Sequence, residues 1–181
     1  WIKGTLKKGV YAKDLILHII RTLGVKAGMG FAYEFAGPGI KALSMEERMT
    51  ICNMSIEGGA RCGYINPDEV TFDYIKDRPF SPKKQEWDSA VNWWKTITSD
   101  ENATFDDEMI FDASEIAPTL TWGITPGQGM SINQLIPSIA SLTSSDRQIA
   151  EEAYRYMNLK PGTSIEGVPV NVCFIGSCTN G

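Results

Sequence analysis

The chain has 181 residues, of which 43% are hydrophobic and 22% are charged, and these proportions are ordinary for a globular protein. Its net charge is −5 and it has no basic cluster that could neutralise phosphates, so we expect no nucleic-acid partner. No segment approaches the roughly 20 consecutive apolar residues that a membrane span requires, so we expect no membrane partner either.

The first half of the sequence predicts helices together with one short strand. In the helices apolar residues recur near the helical period, and in the strand they alternate with small or polar residues. Two of the helices are predicted to begin at Asn66–Pro67 and Ser81–Pro82, because a capping residue followed by proline is typical of a helix start. The predicted elements are helices over 12–24, 44–59, 66–77 and 81–97, and a strand over 29–37.

The second half predicts short strands, a loop rich in glycine and proline, and one more helix. The run VPVNVCFIG, residues 168–176, is apolar apart from Asn171 and is bounded by Gly167 and Gly176. Such a run is expected of a strand that is buried on both faces. The other predicted elements are strands over 108–114 and 118–123, a loop over 124–131 and a helix over 145–159.

This mixture of elements predicts an α/β fold with three layers and a mixed or parallel sheet. The polar stretch TSDENAT, residues 98–104, is the best candidate for an internal boundary. We therefore predict a first α/β domain over residues 1–98, which carries the helix over 44–59. A partial second α/β domain is predicted over residues 99–181.

The four cysteines are spaced C-x9-C and C-x4-C, which does not match the two close pairs that are typical of a zinc site. We expect Cys52, Cys62 and Cys173 to be buried free thiols in a reducing compartment, namely the cytoplasm or, in a eukaryote, an organelle. Cys178 differs, because it follows the predicted strand over 168–176, and open α/β sheets bind ligands beyond the ends of their strands. One thiolate cannot hold a metal alone, so a functional and a structural role both stay open on this evidence.

A second candidate site lies near the end of the helix over 44–59. Asn53 and Glu57 are four residues apart and therefore share a face of the predicted helix. The glycines at 58 and 59 follow directly and would let another backbone or a ligand approach closely. A plain surface pair is the alternative on spacing alone. The single histidine, His18, lies within a helix beside apolar residues, which indicates a structural role.

Several longer segments carry a family resemblance. They are GVYAKDLILHIIRTLG, YEFAGPGIKALSMEERMT, MTICNMSIEGGARCGYINPDEVTFDYIKDRP, TLTWGITPGQG and FIGSCTNG, in this order along the chain. Together they resemble the large-subunit family of 3-isopropylmalate dehydratases, within the aconitase superfamily. The resemblance covers nearly the whole chain and weakens only between about residues 82 and 105, and CNMSIE and SCTNG are its most specific motifs.

The resemblance implies an iron–sulfur hydro-lyase that isomerises 2-isopropylmalate and 3-isopropylmalate by dehydration and rehydration in leucine biosynthesis. In the full-length enzyme of this family three cysteines hold a [4Fe–4S] cluster; Cys178 matches the first, and a downstream C-x2-C pair supplies the others. An iron with an open coordination site stabilises the departing hydroxyl as a Lewis acid. Glu57 matches the acidic residue that passes a proton to that oxygen, and Asn53 matches an asparagine near the cluster.

The resemblance also implies a heterodimer with a small subunit, which supplies a serine base, and a small hydroxy-acid substrate. Homoaconitase, aconitase and a related hydroxy-acid hydratase are alternatives within the superfamily. We expect the chain to be an internal piece of a longer subunit, because it stops before the C-x2-C pair. As an isolated chain it would then be a non-catalytic fragment without a cluster, since the single ligand Cys178 cannot assemble one.

Overall fold

The computed structural model describes residues 1–176, which combine helices with three two-stranded sheets and so confirm the α/β class. The α-helices are α1 (Ala12–Leu23), α2 (Pro38–Lys41), α3 (Met45–Met54), α4 (Glu69–Ile75), α5 (Gln85–Thr96) and α6 (Ser144–Met157). The strands are β1 (Ile2–Lys3), β2 (Tyr33–Glu34), β3 (Gly63–Tyr64), β4 (Phe111–Asp112), β5 (Thr119–Thr121) and β6 (Gly129–Ser131). None of the helices in this part of the chain is long and apolar enough to cross a membrane.

The sheets pair strands that are far apart in sequence as well as near neighbours. β1 pairs with β4 in parallel, with Ile2 opposite Phe111. β2 pairs with β3 in parallel, with Tyr33 opposite Gly63. β5 and β6 form an antiparallel pair across the glycine- and proline-rich loop. The strands of the two parallel pairs are only two residues long, so packing of the helices rather than a large sheet organises this part of the chain.

Helix α1 organises the larger core and begins and ends as predicted. Tyr11 cannot cap the helix as serine would, and the Tyr11 backbone N–H instead donates to the carboxylate of Asp14 at 2.8 Å. The other carboxylate oxygen of Asp14 accepts from the Thr119 backbone N–H at 2.6 Å, which bonds α1 to β5. At the far end, Arg21 donates to the Ser131 hydroxyl of β6 at 3.3 Å. The buried apolar residues of α1 are Ala12, Leu15, Ile16, Leu17, Ile19 and Ile20.

The described residues have two hydrophobic clusters. The larger one joins α1 to the buried faces of β1, α2 and α3, and it includes Ala113 and Ile116 from beyond the predicted domain boundary. The smaller one packs Trp122, Met130 and Ile136 against α6, and the rings of Trp122 and Tyr154 stack with their centroids 5.0 Å apart. The division into domains over 1–98 and 99–181 stays a prediction.

Two helices begin later than the sequence indicated. α4 begins after Asp68, whose carboxylate accepts from the backbone N–H groups of Val70 and Thr71 at 3.1 and 3.3 Å. The predicted cap, Asn66, instead donates through its amide to Glu34 of β2 at 2.9 Å. The predicted start at Ser81 is also wrong, because its hydroxyl donates to the preceding turn at the carbonyl of residue 78 and α5 begins only at residue 85.

The strand predicted over 29–37 is reduced to the two residues of β2. Two of its four alternating apolar residues, Met29 and Phe31, are exposed. Their backbone N–H groups donate to the carbonyls of Lys26 and Gly28, at 3.1 and 2.9 Å. The segment before β2 therefore forms consecutive turns, because its backbone groups are satisfied locally and not by a neighbouring strand.

The buried strand predicted over 168–176 is wrong for the chain as described. No strand is present there, and Val172, Phe174 and Ile175 are 83%, 90% and 97% exposed. A strand that is buried on both faces needs hydrogen-bonding neighbours at its edges and packing layers above and below. None of the six strands among residues 1–176 pairs with this segment. The apolar run alone therefore does not fix a strand.

Candidate functional site

The candidate site is built at the end of helix α3, whose start was predicted from its sequence. Ser44 and Glu47 form the expected capping box: the Glu47 carboxylate accepts from the Ser44 backbone N–H at 2.9 Å, and the Ser44 hydroxyl accepts from the Glu47 N–H at 3.3 Å. Arg48, Ile51 and Ser55 lie on one side of the helix and are all buried. α3 is thus anchored at its first turn and along one face.

α3 ends in a Schellman motif, which explains one of the two glycines that follow Glu57. The α-helix stops at Met54 and continues as a 3-10 turn over Ile56–Gly58. The Ala60 N–H then donates to the Ser55 carbonyl at 3.1 Å, and the Gly59 N–H donates to the Ile56 carbonyl at 2.9 Å. Gly59 has a φ of 89°, the left-handed conformation that this motif requires.

Further bonds to neighbouring segments hold the turn over 56–61 rigidly in place. The Ser55 hydroxyl is fully buried and donates to the Ile51 carbonyl at 2.9 Å. The Gly58 carbonyl accepts from the Gly28 N–H at 2.9 Å, and the Arg61 N–H donates to the Phe31 carbonyl at 2.8 Å. Gly58 and Gly59 therefore serve the close approach of another backbone, which is one of the two alternatives that the sequence left open.

The predicted site residues fall in different parts of this arrangement. Asn53 is exposed in the last turn of α3, and Glu57 is exposed on the 3-10 turn. Because the α-helix ends between them, the prediction that they share a helix face is not supported by regular helical geometry. Cys178 lies outside the described residues. Within residues 1–176 the Glu57 carboxylate has no hydrogen bond or ion pair, so it is free to meet a ligand.

The described residues do not form a metal site by themselves. In residues 1–176 no group of three or more His, Cys, Asp or Glu side chains is placed to hold a metal ion. A cluster with three cysteine ligands therefore does not fit the described residues alone. The roles predicted for Cys178 as a cluster ligand and Asn53 as its neighbour stay predictions.

Three thiols are described, and they are less buried than the sequence indicated. Cys62 and Cys173 are exposed, so the prediction of buried thiols is wrong for both. Cys62 precedes β3, and Cys173 lies in the unpaired segment over 168–176. Cys52 is half-buried beneath β3, where a β-carbon on Gly63 would lie only 2.7 Å from the Cys52 Cα. Burial, with a smaller contribution from the charge of Cys62, raises the pKa of Cys52 to about 11.

We expect the thiols to differ strongly in their rates of alkylation. At pH 8 a thiol with a pKa of about 11 is roughly one part in a thousand thiolate, and only the thiolate reacts. Iodoacetamide should therefore modify Cys52 on the order of 100-fold more slowly than Cys62, as followed by peptide mass spectrometry. In concentrated urea the two rates should become similar. Faster modification of Cys52 in the folded chain would contradict its burial.

His18 has a structural position, in agreement with the sequence interpretation. Its ring packs edge-on against Phe111 of β4, with centroids 5.9 Å apart. Its Nδ1 lies 3.1 Å from the Arg21 guanidinium, which donates to it. Burial, followed by the charge of Arg21, lowers the pKa of His18, so the neutral ring is favoured. The ring of His18 is therefore held between Arg21 of the same helix and Phe111 of β4.

An ion pair beneath α3 was missed by sequence reasoning. Arg48 is 2% exposed and its guanidinium bonds both oxygens of the Asp68 carboxylate, at 2.6 and 2.9 Å, and the Lys41 carbonyl at 3.2 Å. The sequence did hold a signal, because an arginine three residues before Ile51 and seven before Ser55 falls on the apolar side of the helix. This pair fixes α3 against the start of α4.

The fold and the site together define an α/β protein that presents, on a rigid turn at the end of a helix, a carboxylate with no partner in the described part of the chain. The chain belongs to the aconitase family, because the model of the aconitase family (aconitate hydratase) matches residues 1–181.

Curated relatives are similar over the whole chain. A 3-isopropylmalate dehydratase large subunit from Prochlorococcus marinus is 67% identical over 181 residues, which are 100% of this chain and 38% of that protein. A protein of the same name from a Synechococcus species is 65% identical over 181 residues, 100% of this chain and 39% of that protein. Another, from Parasynechococcus marenigrum, is 67% identical over 180 residues, 99% of this chain and 38% of that protein. The chain thus spans well under half the length of the curated relatives it matches.

Proposed function

We propose that this chain is part of the large subunit of a hydro-lyase that interconverts 2-isopropylmalate and 3-isopropylmalate by dehydration and rehydration. The observation that carries the proposal is identity of 65–67% along the whole chain to proteins named 3-isopropylmalate dehydratase large subunit. At that similarity the CNMSIE segment and its rigid turn fall within the matched region. The name of these relatives also supports a partnership with a small subunit, as a heterodimer.

Within that function Glu57 acts on the proton of the departing or returning hydroxyl. Its carboxylate is exposed, has no partner among the described residues, and is held on a turn whose backbone is bonded to α3 and to the segment before β2. A positioned carboxylate of this kind can give or take a proton without moving its backbone. We further propose that Cys178 is a ligand of a [4Fe–4S] cluster in the longer protein, with Asn53 beside it.

The proposal is tested with the full-length protein and its small subunit, purified and reconstituted without oxygen. We expect turnover of 2-isopropylmalate. Citrate and homocitrate are assayed at the same concentrations as alternative substrates. Turnover of citrate or homocitrate in preference to 2-isopropylmalate would instead identify another hydratase of the family. Absence of turnover with all three, in a preparation that carries its full complement of iron, would overturn the proposed activity.

A further inference from the structure

The turn over 56–61 presents a cation as well as the Glu57 carboxylate. Arg61 is exposed at the end of this turn, and within residues 1–176 its guanidinium has no hydrogen bond or ion pair. Two arginines that point into the packed part of the chain differ in this respect, because Arg48 bonds Asp68 and Arg21 bonds Ser131. An arginine that is fixed through its backbone but free at its guanidinium is available to an anion from outside the chain.

The backbone of Arg61 is fixed by a hydrogen bond of its own and by the anchored residue that precedes it. Its N–H donates to the Phe31 carbonyl at 2.8 Å, immediately before β3 pairs with β2. The preceding residue, Ala60, is 5% exposed and closes the Schellman motif through Ser55. The attachment points of the Glu57 and Arg61 side chains therefore belong to one rigid unit. The turn over 56–61 thus carries both a carboxylate and a guanidinium on a backbone that is fixed in place.

We propose that Arg61 binds a carboxylate of the hydroxy-acid substrate while Glu57 acts on the hydroxyl. This inference rests on the proposed function, in which the substrate is a dianion. Such a substrate is repelled by the Glu57 carboxylate, and a nearby cation offsets that repulsion. The planar fork of a guanidinium also matches both oxygens of a carboxylate, which a lysine ammonium cannot do. Arg61 is therefore a substrate-binding residue and makes no proton transfer of its own.

The first measurement is steady-state kinetics of the full-length holoenzyme with its small subunit. R61Q should raise KM for 2-isopropylmalate on the order of 10–100-fold, with a much smaller change in kcat, because a charged hydrogen-bonded contact is lost. R61K should lie between R61Q and the parent, because it keeps the charge and loses the fork. R155Q is the matched control, since Arg155 is exposed on α6 and also has no partner among the described residues.

The second measurement is calorimetric binding of the diacid substrate and of its two monoamides, which separates recognition from a structural effect. The parent should bind one of the monoamides more weakly than the diacid, and R61Q should lose that discrimination while R155Q keeps it. Equal loss of affinity for the diacid and both monoamides would show a structural defect and overturn the inference. Unchanged KM and binding in R61Q, with an active parent, would overturn it while leaving the proposed function intact. A parent that neither turns over nor binds the diacid would reject both.

Discussion

Glu57→Gln should lower the turnover of the full-length holoenzyme by roughly 10²–10⁴-fold, which is the usual contribution of a positioned general acid or base. Glutamine has nearly the same shape as glutamate but cannot give or take the proton of the hydroxyl. The turn itself should be unchanged, because its bonds run through the backbones of residues 55–61 and through Ser55, not through the Glu57 side chain. Steady-state kinetics with 2-isopropylmalate measures the effect.

Two controls make this result specific to Glu57. Glu115→Gln removes another exposed carboxylate, on the 3-10 turn over Ala113–Glu115, and should retain parental turnover. The visible absorbance and iron content of Glu57→Gln should equal those of the parent, which would show that chemistry and not assembly is affected. Parental turnover of Glu57→Gln with normal iron content would instead make Glu57 an ordinary surface carboxylate.

Asp68→Ala should reduce the free energy of unfolding of this chain by about 3 kcal/mol. The substitution leaves the buried charge of Arg48 without its partner, and breaking a buried pair in this way costs roughly 3–5 kcal/mol. It also removes the cap of α4, which contributes about 1 kcal/mol. The Asp68 side chain is 38% exposed, so water replaces part of the lost interaction and the lower end of the range applies. Urea unfolding followed by circular dichroism measures the loss.

Two further variants separate the contributions of the pair and the cap. Asp68→Asn keeps an equally good capping residue while it removes the charge, so its loss should be smaller than that of Asp68→Ala. Asp73→Ala, which changes an exposed carboxylate on the same helix α4, should stay within about 0.5 kcal/mol of the parent. Equal free energies of unfolding for Asp68→Ala and Asp73→Ala would show that the ion pair between Arg48 and Asp68 does not stabilise the fold.

The ion pair between Arg48 and Asp68 also makes the free energy of unfolding depend on pH. Burial pushes the pKa of Asp68 upward, but the hydrogen bonds and charge of Arg48, with the backbone donors at the start of α4, outweigh it and lower the pKa. A carboxyl whose pKa is lowered by folding stabilises the fold above its unfolded pKa and loses that contribution as pH falls through the folded value. The difference in free energy of unfolding between the parent and Asp68→Asn should therefore be largest near pH 7 and should shrink below about pH 4.

Local signals in the sequence predicted local structure well. The capping box at Ser44 and Glu47 and the helical period of α1 act over three or four residues, and both are present in the structure. The start of α4 was missed because the Asn66 side chain is used over a long range. It donates to Glu34, and its carbonyl oxygen accepts from the Ser99 backbone N–H at 3.0 Å. No pattern within the helix itself reports such a bond.

For the candidate site, too, the sequence indicated some residues, and only the tertiary structure showed how others are arranged. Resemblance to a family indicated Glu57, Asn53 and Cys178, and their roles stay predictions. The structure showed that Glu57 and Arg61 share a rigid turn, because the bonds that fix it come from residues 28 and 31, far along the chain. Sequence reasoning had given Arg61 no role, since its spacing from Glu57 is informative only if the α-helix continues, and it does not.

By itself the sequence determined the α/β class, the family motifs and those helices whose caps and apolar periods are complete within a few residues. Tertiary structure decided which apolar and polar groups are buried. The run VPVNVCFIG illustrates the reason, because a strand needs hydrogen-bonding neighbours and covering layers that its own residues cannot supply. The described residues do not supply them, so Phe174 and Ile175 are exposed. Arg48, a charged residue by type, is buried because Asp68, 20 residues away, meets it.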